Sequence, residues 1–203
     1  LRDRNSLLLA AGYAPRYQET SIDDPSMAHV RASLQRVLGA HDPYPGVVLD
    51  RRWNIVLANE SAARLVGAMS PHLLTPTINI FRISLHPEGL AAITLNLGEW
   101  AGYLLAQLRR LVVMSGDDDF AALEREVLAY PNIDALMHTG AIETADDTPL
   151  LVPCRLELDG AELSLFTTLT TFGTPRDITL DELAIELFFP ADEATGAVLR
   201  ARA

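Results

Sequence analysis

Segments in which apolar and polar residues alternate stand at both ends of a helical middle, and this order constrains the fold more than any other feature. Near the amino terminus, segments 46–49 and 53–58 are predicted to be strands, with Trp53, Ile55 and Leu57 on one face of the second. Three more follow in the carboxyl-terminal third, at 151–158, 162–172 and 183–189. A sheet that takes strands from both ends of a chain must pack against the helices that lie between them. The pattern therefore predicts an α+β domain with a five-stranded antiparallel sheet.

Two short motifs place a turn and a helix start within this order. Asp159-Gly160 stands between two alternating segments and is a strong signal for a β-hairpin. Asn59 is a good N-cap for a helix over 60–66, which Gly67 would end. A helix is therefore expected directly after the second strand, and a tight turn between the third and fourth.

The middle of the chain has the spacing of helices. Apolar residues at intervals of three and four predict helices over 26–39, 89–114 and 117–130. Prolines within 73–87 favour short helical turns there, and the polar segment 133–148 is predicted to be a loop. The helices are thus expected to be inserted between strands 2 and 3.

The composition excludes several classes of protein. With 203 residues, 49% of them hydrophobic, the chain can bury one substantial core. Its 16 basic and 27 acidic residues leave a net charge of −11, which argues against direct contact with duplex DNA or an anionic membrane surface. The single cysteine, Cys154, excludes an internal disulfide, and no apolar run approaches the roughly 20 residues that span a bilayer. We therefore expect a cytoplasmic protein without a membrane partner.

The first 25 residues differ in character from the rest. A short helix over 1–11 is predicted to end at Gly12, and a polar connection over 13–25 follows it. The chain begins at Leu1 without an initiator methionine, so we expect a truncated amino end. The predicted division is a helical remnant with its linker over 1–25 and a main domain over 26–203.

The sequence resembles the MmyB-like regulators, which join an XRE-type helix-turn-helix domain to a PAS-like ligand-binding domain. Four stretches spread over nearly the whole chain carry the resemblance. They are RDRNSLLLAAGYAP at 2–15, DRRWNIVLANESAARL at 50–65, IFRISLHPEGL at 80–90 with NLGEW at 96–100, and FGTPRDITLDELAIELFFPADEAT at 172–195. The last is the longest and the most specific.

The resemblance implies a sensor of small molecules. Residues 1–25 are similar to the end of the family's helix-turn-helix domain and its linker, and 26–203 to its PAS-like domain. Most of the helix-turn-helix is missing, so DNA binding is implied for the parent protein and not for these residues. A homodimer is expected because such regulators contact paired half-sites. The ligand would occupy a cavity between the sheet and the helices.

Arg82, His86 and Trp53 are the first candidates for ligand contacts. Arg82 and His86 are four residues apart and would share one side of a helical turn, where they could hold a carboxylate. The alternative is that Arg82 pairs with a protein carboxylate and His86 satisfies a loop carbonyl. Trp53 is predicted either to line the ligand pocket or to pack in the core.

Apolar residues complete the candidate set. Phe81, Leu97, Trp100, Leu104 and Phe166 are expected either to line the cavity or to pack the core, and the sequence does not separate the two roles. Aromatic residues make up only 6% of the chain. We therefore expect a flexible aliphatic ligand, most specifically a medium- or long-chain fatty acid.

Catalytic and metal sites find no support in the spacing of residues. The five histidines form no close pair, and Cys154 lies in a predicted strand away from them. No nucleophile, phosphate-binding or metalloprotease motif occurs, so neither an enzyme nor a bound cofactor is expected. The main alternative to a ligand sensor is a dimerisation or protein-interaction module with a filled core.

Overall fold

A computed structural model describes residues 1–142 and 152–202. It contains five strands, β1 Gly46–Leu49, β2 Ile55–Ala58, β3 Cys154–Leu158, β4 Ala161–Thr171 and β5 Ala184–Pro190. They form one antiparallel sheet in the order β2-β1-β5-β4-β3. The strands from the two ends of the chain meet where β1 pairs with β5.

Helices surround this sheet, and most of them lie between β2 and β3 in the chain. The described α-helices are α1 Arg2–Ala10, α2 Ala28–His41, α3 Glu60–Gly67, α4 Ile80–Leu85, α5 Leu97–Ser115, α6 Asp118–Leu128, α7 Pro131–Thr139, α8 Ile178–Glu182 and α9 Glu193–Ala201. Short 3₁₀ turns cover Pro25–Met27, Pro71–Leu73 and Leu90–Ile93. The predicted PAS-like α+β fold, with helices inserted between strands 2 and 3, is confirmed.

The two local motifs act as predicted. Leu158 pairs with Ala161, and Asp159 and Gly160 between them have φ angles of 51° and 76°, as a tight hairpin turn with two left-handed residues requires. The Asn59 side chain accepts a hydrogen bond from the backbone N–H of Ala62 at 3.0 Å and so caps α3.

The predicted helix over 89–114 is wrong in its first third. The chain forms a 3₁₀ turn, leaves it at Thr94, and starts α5 only at Leu97. In the gap, Thr94 bridges to Leu156, and the N–H of Leu95 donates to the carbonyl of Arg155 at 2.7 Å. Hydrogen bonding to β3 replaces the helical hydrogen bonds there.

The predicted loop over 133–148 is also partly wrong. Pro131 ends α6 as expected, but it occupies the first turn of α7, where its fixed φ and missing N–H are favourable. Residues 143–148 of that loop lie outside the described residues, as does Leu151 at the start of the predicted third strand.

Both faces of the central strands are covered. Val48 of β1 packs with Leu34 and Leu38 of α2 on one side of the sheet. Val47 and Leu49 point to the other side, towards α3 and α4. The main core lies on that second side, where α4, α5 and α6 cover β3 and β4. No helix within the described part of the chain is long and apolar enough to cross a membrane.

Candidate ligand cavity

The core side of the sheet is not completely filled. A cavity of about 140 Å³ lies between the sheet and helices α3, α4 and α5. Its walls are mainly apolar, and its polar wall groups are Ser84, Tyr103, Gln107, Thr167 and Glu186. Apolar cavities near this size accept a guest about as large as benzene. The space is therefore sufficient for a small apolar molecule.

Three of the residues predicted to contact a ligand line this cavity. Trp53 follows β1, while Trp100 and Leu104 project from successive turns of α5. Trp100 and Leu104 are buried, and Trp53 is half-buried. The helical spacing in α5 places two of the three on one face.

Trp53 has an unusual backbone. Its φ is 64°, in the left-handed region that bulky residues rarely adopt. Two backbone hydrogen bonds hold the turn. The Trp53 N–H donates to the Asp50 carbonyl at 3.0 Å, and the Trp53 carbonyl accepts from the Ile80 N–H at 3.0 Å. The ring contacts Phe81 with 5.3 Å between ring centroids. This wall of the cavity is thus fixed by its turn and by α4.

Three other predicted residues lie elsewhere in the packing. Phe81 is fully buried behind Trp53 in the core, and Leu97 packs against the edge of the same core. Phe166 projects from the opposite face of β4, where it stacks on Phe189 with a centroid distance of 5.4 Å. None of these three lines the cavity.

Arg82 and His86 lie near each other, as predicted, but outside the cavity. The Arg82 guanidinium donates two hydrogen bonds to the Glu126 carboxylate, at 2.7 and 2.8 Å. Tyr130 donates to the same carboxylate at 2.8 Å, and its ring lies 4.8 Å from that of His86. Arg82 keeps the pKa of Glu126 below its usual range, and burial lowers that of His86. The fork of Arg82 is thus occupied by a protein carboxylate.

Glu186 is the wall residue that the sequence analysis missed. It lies on β5 beside Val47 of β1 and Leu169 of β4, and both neighbours also line the cavity. It is only 8% exposed, and its Oε2 atom has no hydrogen-bond partner among the described residues. The sequence feature that indicates it is a glutamate between Ala184 and Phe188, on the same face of a strand that is otherwise apolar.

The environment of Glu186 disfavours its charge. Burial raises the pKa of Glu186 to about 7, and the neighbouring Thr167 side chain limits the rise. Burial also raises the pKa of Tyr103 and that of Cys154, the latter to about 12, and the Glu186 carboxylate adds to both shifts. The sheet and α5 therefore place three titratable groups around one mainly apolar cavity.

No positive side chain balances this acid within the cavity. None of the described residues that line it is an arginine, lysine or histidine. The described residues also contain no cluster of three or more histidine, cysteine or acidic side chains that would suit a metal ion. The cavity therefore combines mainly apolar walls with one buried carboxyl group that can form hydrogen bonds.

An open groove of about 590 Å³ lies next to the cavity. Pro45, Leu65, Leu156 and Leu165 line both spaces. These four residues form the wall that the cavity and the groove share.

Comparison with known proteins gives one family match. The model described as the MmyB-like transcription regulator ligand binding domain matches residues 30–201. No curated protein matches the chain.

Solved structures with PAS or related domains are similar to the chain at low identity. The PAS domain of BvgS from Bordetella pertussis is 16% identical over 86% of this chain and 95% of that chain, with a TM-score of 0.36. The LOV protein of Rhodobacter sphaeroides is 13% identical over 80% of this chain and 68% of that chain, with a TM-score of 0.35. The PAS domain of an HTR-like protein from Haloarcula marismortui is 13% identical, over 81% and 94%, with a TM-score of 0.31.

The family match covers the sheet, the helices inserted into it and every described residue that lines the cavity. The strand order and the position of the helices agree with the PAS-like domain that the sequence resemblance implies. The chain therefore belongs to the family of MmyB-like transcription regulator ligand-binding domains.

Proposed function

We propose that this domain senses a small apolar molecule and regulates DNA binding by a helix-turn-helix domain of its parent protein. The observation that carries the proposal is the cavity between the sheet and α3, α4 and α5, with mainly apolar walls. A ligand regulates only if it binds two states of the protein differently. The cavity favours this function over an interaction module with a filled core.

A medium- or long-chain fatty acid remains the specific candidate that the aliphatic walls suggest. Its chain needs more room than a cavity of about 140 Å³ provides. The neighbouring groove supplies such room, and it also carries Arg64 and Arg202, which could hold a carboxylate at its outer edge. In this arrangement the end of the chain enters the cavity and the head group stays in the groove.

Hydrogen bonds join the amino-terminal segment to α8, the helix that precedes β5. The Thr20 hydroxyl donates to the Asp177 carboxylate at 2.7 Å, and Arg2 donates to Glu182 at 2.7 Å. Both acceptors lie at α8, which leads within a few residues to Glu186 on β5. We propose that a shift of β5 on ligand binding moves α8 and, through these contacts, the linker to the DNA-binding domain of a homodimeric regulator.

Filling the cavity should abolish ligand binding. Ser84 of α4 lines the cavity, so Ser84→Leu is expected to place an apolar side chain in the guest's space and weaken toluene binding by at least about tenfold. Ser33→Leu on the exposed face of α2 is the matched control and should bind as the wild type does. Isothermal titration measures both affinities.

Native mass spectrometry of the purified chain, followed by denaturing extraction, tests for a retained guest. Equal toluene affinity in Ser84→Leu and the wild type would contradict the proposed site. A protein that retains no guest and also fails to bind toluene would contradict the sensor function.

Removing the hydrogen bond from the Thr20 hydroxyl to Asp177 should loosen the linker without changing the cavity. Thr20→Val removes the hydroxyl and leaves Asp177 to cap α8 through the Thr179 N–H at 2.8 Å. The loss of one partly buried hydrogen bond predicts roughly a fivefold faster amide exchange over 16–21. Hydrogen-exchange mass spectrometry measures this rate, and Thr139→Val in exposed α7 is the control. Unchanged exchange over 16–21 would show that the contact does not hold the linker.

A further inference from the structure

An unpaired buried oxygen faces the cavity and bears on the chemistry of its guest. We infer that the ligand carries a hydrogen-bond donor, an amine or a hydroxyl group, on an apolar body, and that the Glu186 carboxyl group accepts a hydrogen bond from it. This inference rests on the proposed function, because it names the ligand class for the same cavity, and it requires a donor group that the hydrocarbon end of an unsubstituted fatty acid lacks.

The first support for this inference is the position of Glu186. Its side chain is more than nine-tenths buried, it lines the cavity, and its Oε2 atom lacks a partner among the described residues. Buried polar atoms in native proteins are nearly always hydrogen-bonded, because leaving one unpaired is unfavourable. An unpaired acceptor on a cavity wall is therefore placed to pair with a donor that the guest brings.

The surroundings of Glu186 define the rest of the ligand. On the sheet, Val47, Leu169 and Phe188 share the wall with it, and Leu104 from α5 also lines the space. These side chains offer no hydrogen bonds to a guest. The donor should therefore belong to a largely apolar molecule, and the remaining polar groups of the wall are those of Ser84, Tyr103, Gln107 and Thr167.

The charge distribution disfavours an ionised carboxylate as the group that meets an ionised Glu186. Such a carboxylate would place two negative charges in one mainly apolar cavity, and none of the described wall residues is a cation that could compensate them. Two like charges in close contact cannot both stay ionised. An ammonium group would instead form an ion pair with Glu186, and a hydroxyl group would donate to it without a charge.

The titration of the acid is consistent with such a partner. Burial raises the pKa of Glu186 to about 7, so its ionised form is available at slightly alkaline pH. Tyr103 and Cys154 are the titratable neighbours around it, and burial raises the pKa of both. At pH 8 Glu186 is therefore the group in this cluster that carries charge.

Four probes of similar size test the inference on the whole chain at pH 8. Hexylamine and 1-hexanol carry donors, hexanoate carries a carboxylate, and toluene has no polar group. Isothermal titration of the wild type should show hexylamine binding at least about tenfold tighter than hexanoate, with 1-hexanol between them. Glu186→Gln should lose the preference for hexylamine and leave toluene affinity unchanged. The exposed Glu157→Gln is the matched control.

The outcomes separate this inference from the proposed function. If toluene binds but hexylamine and 1-hexanol gain nothing over hexanoate in the wild type, the donor inference is overturned and the sensor function stands. If no probe binds, both fail. The wild-type series decides the question even if Glu186→Gln does not fold. If hexylamine binds much more tightly than 1-hexanol, the donor is an amine. If the two bind with similar affinity, either an amine or a hydroxyl group serves as the donor.

Discussion

Raising the pH from 5 to 8 is expected to lower the free energy of unfolding by about 2–3 kcal/mol, because the buried Glu186 loses its proton. The pKa of this carboxyl is raised from 4.5 to about 7 by burial. The folded state therefore holds the Glu186 proton more tightly than the unfolded state does. The stability that this proton confers is complete below pH 4.5, decreases as the pH rises, and is lost above pH 7.

Urea unfolding of the wild type and Glu186→Gln at both pH values measures this contribution. The amide is uncharged throughout, so the difference in unfolding free energy between the two proteins should change with pH by the stated amount. Glu157→Gln on the exposed side of β3 should keep the wild-type dependence. If Glu186→Gln keeps it as well, the carboxyl is not held in a low-dielectric site.

Asn59→Ala is expected to lower the free energy of unfolding by about 3 kcal/mol. The Asn59 Oδ1 atom accepts from the N–H of Gly46 and that of Ala62, both at 3.0 Å. Its Nδ2 atom donates to the carbonyl of Tyr44 at 2.7 Å and to that of Leu38 at 3.3 Å. Because Asn59 is only 5% exposed, water would replace these partners poorly.

The matched control is another N-cap with the same local chemistry on the surface. Asp192 caps α9 by accepting from the Thr195 N–H at 2.7 Å, and it is exposed. Asp192→Ala should therefore destabilise by only about 1 kcal/mol in the same urea experiment. Equal effects of the two substitutions would mean that Asn59 acts as a cap alone and does not join α2, β1 and α3.

The elements of the fold that depend only on residues close together in the sequence were predictable. The Asp159-Gly160 turn and the Asn59 cap follow from the conformations and hydrogen bonds that these residues prefer, and both occur as predicted. The helical start at Leu97 was not predictable in this way. It depends on hydrogen bonding of Thr94 and Leu95 to β3, which lies some sixty residues away in the chain.

The candidate site was predictable in part. Trp100 and Leu104 line the cavity because helical spacing puts both on the inward face of α5, and Trp53 lines it from the turn before β2. Arg82 binds a carboxylate, as its planar guanidinium favours, but in the structure the carboxylate is that of Glu126. No local pattern reveals which of 27 acidic residues will face an arginine.

By itself, the sequence determined the α+β class, the order of the strands along the chain and the positions of the hairpin turn and the α3 cap. These properties follow from side-chain periodicity and from turn and cap preferences, which act over a few residues. Only the tertiary structure decided that Glu186 lies buried at a cavity wall without a partner. Its burial depends on β1, β4 and α5 closing around β5, and contacts between distant segments exist only after the chain has folded.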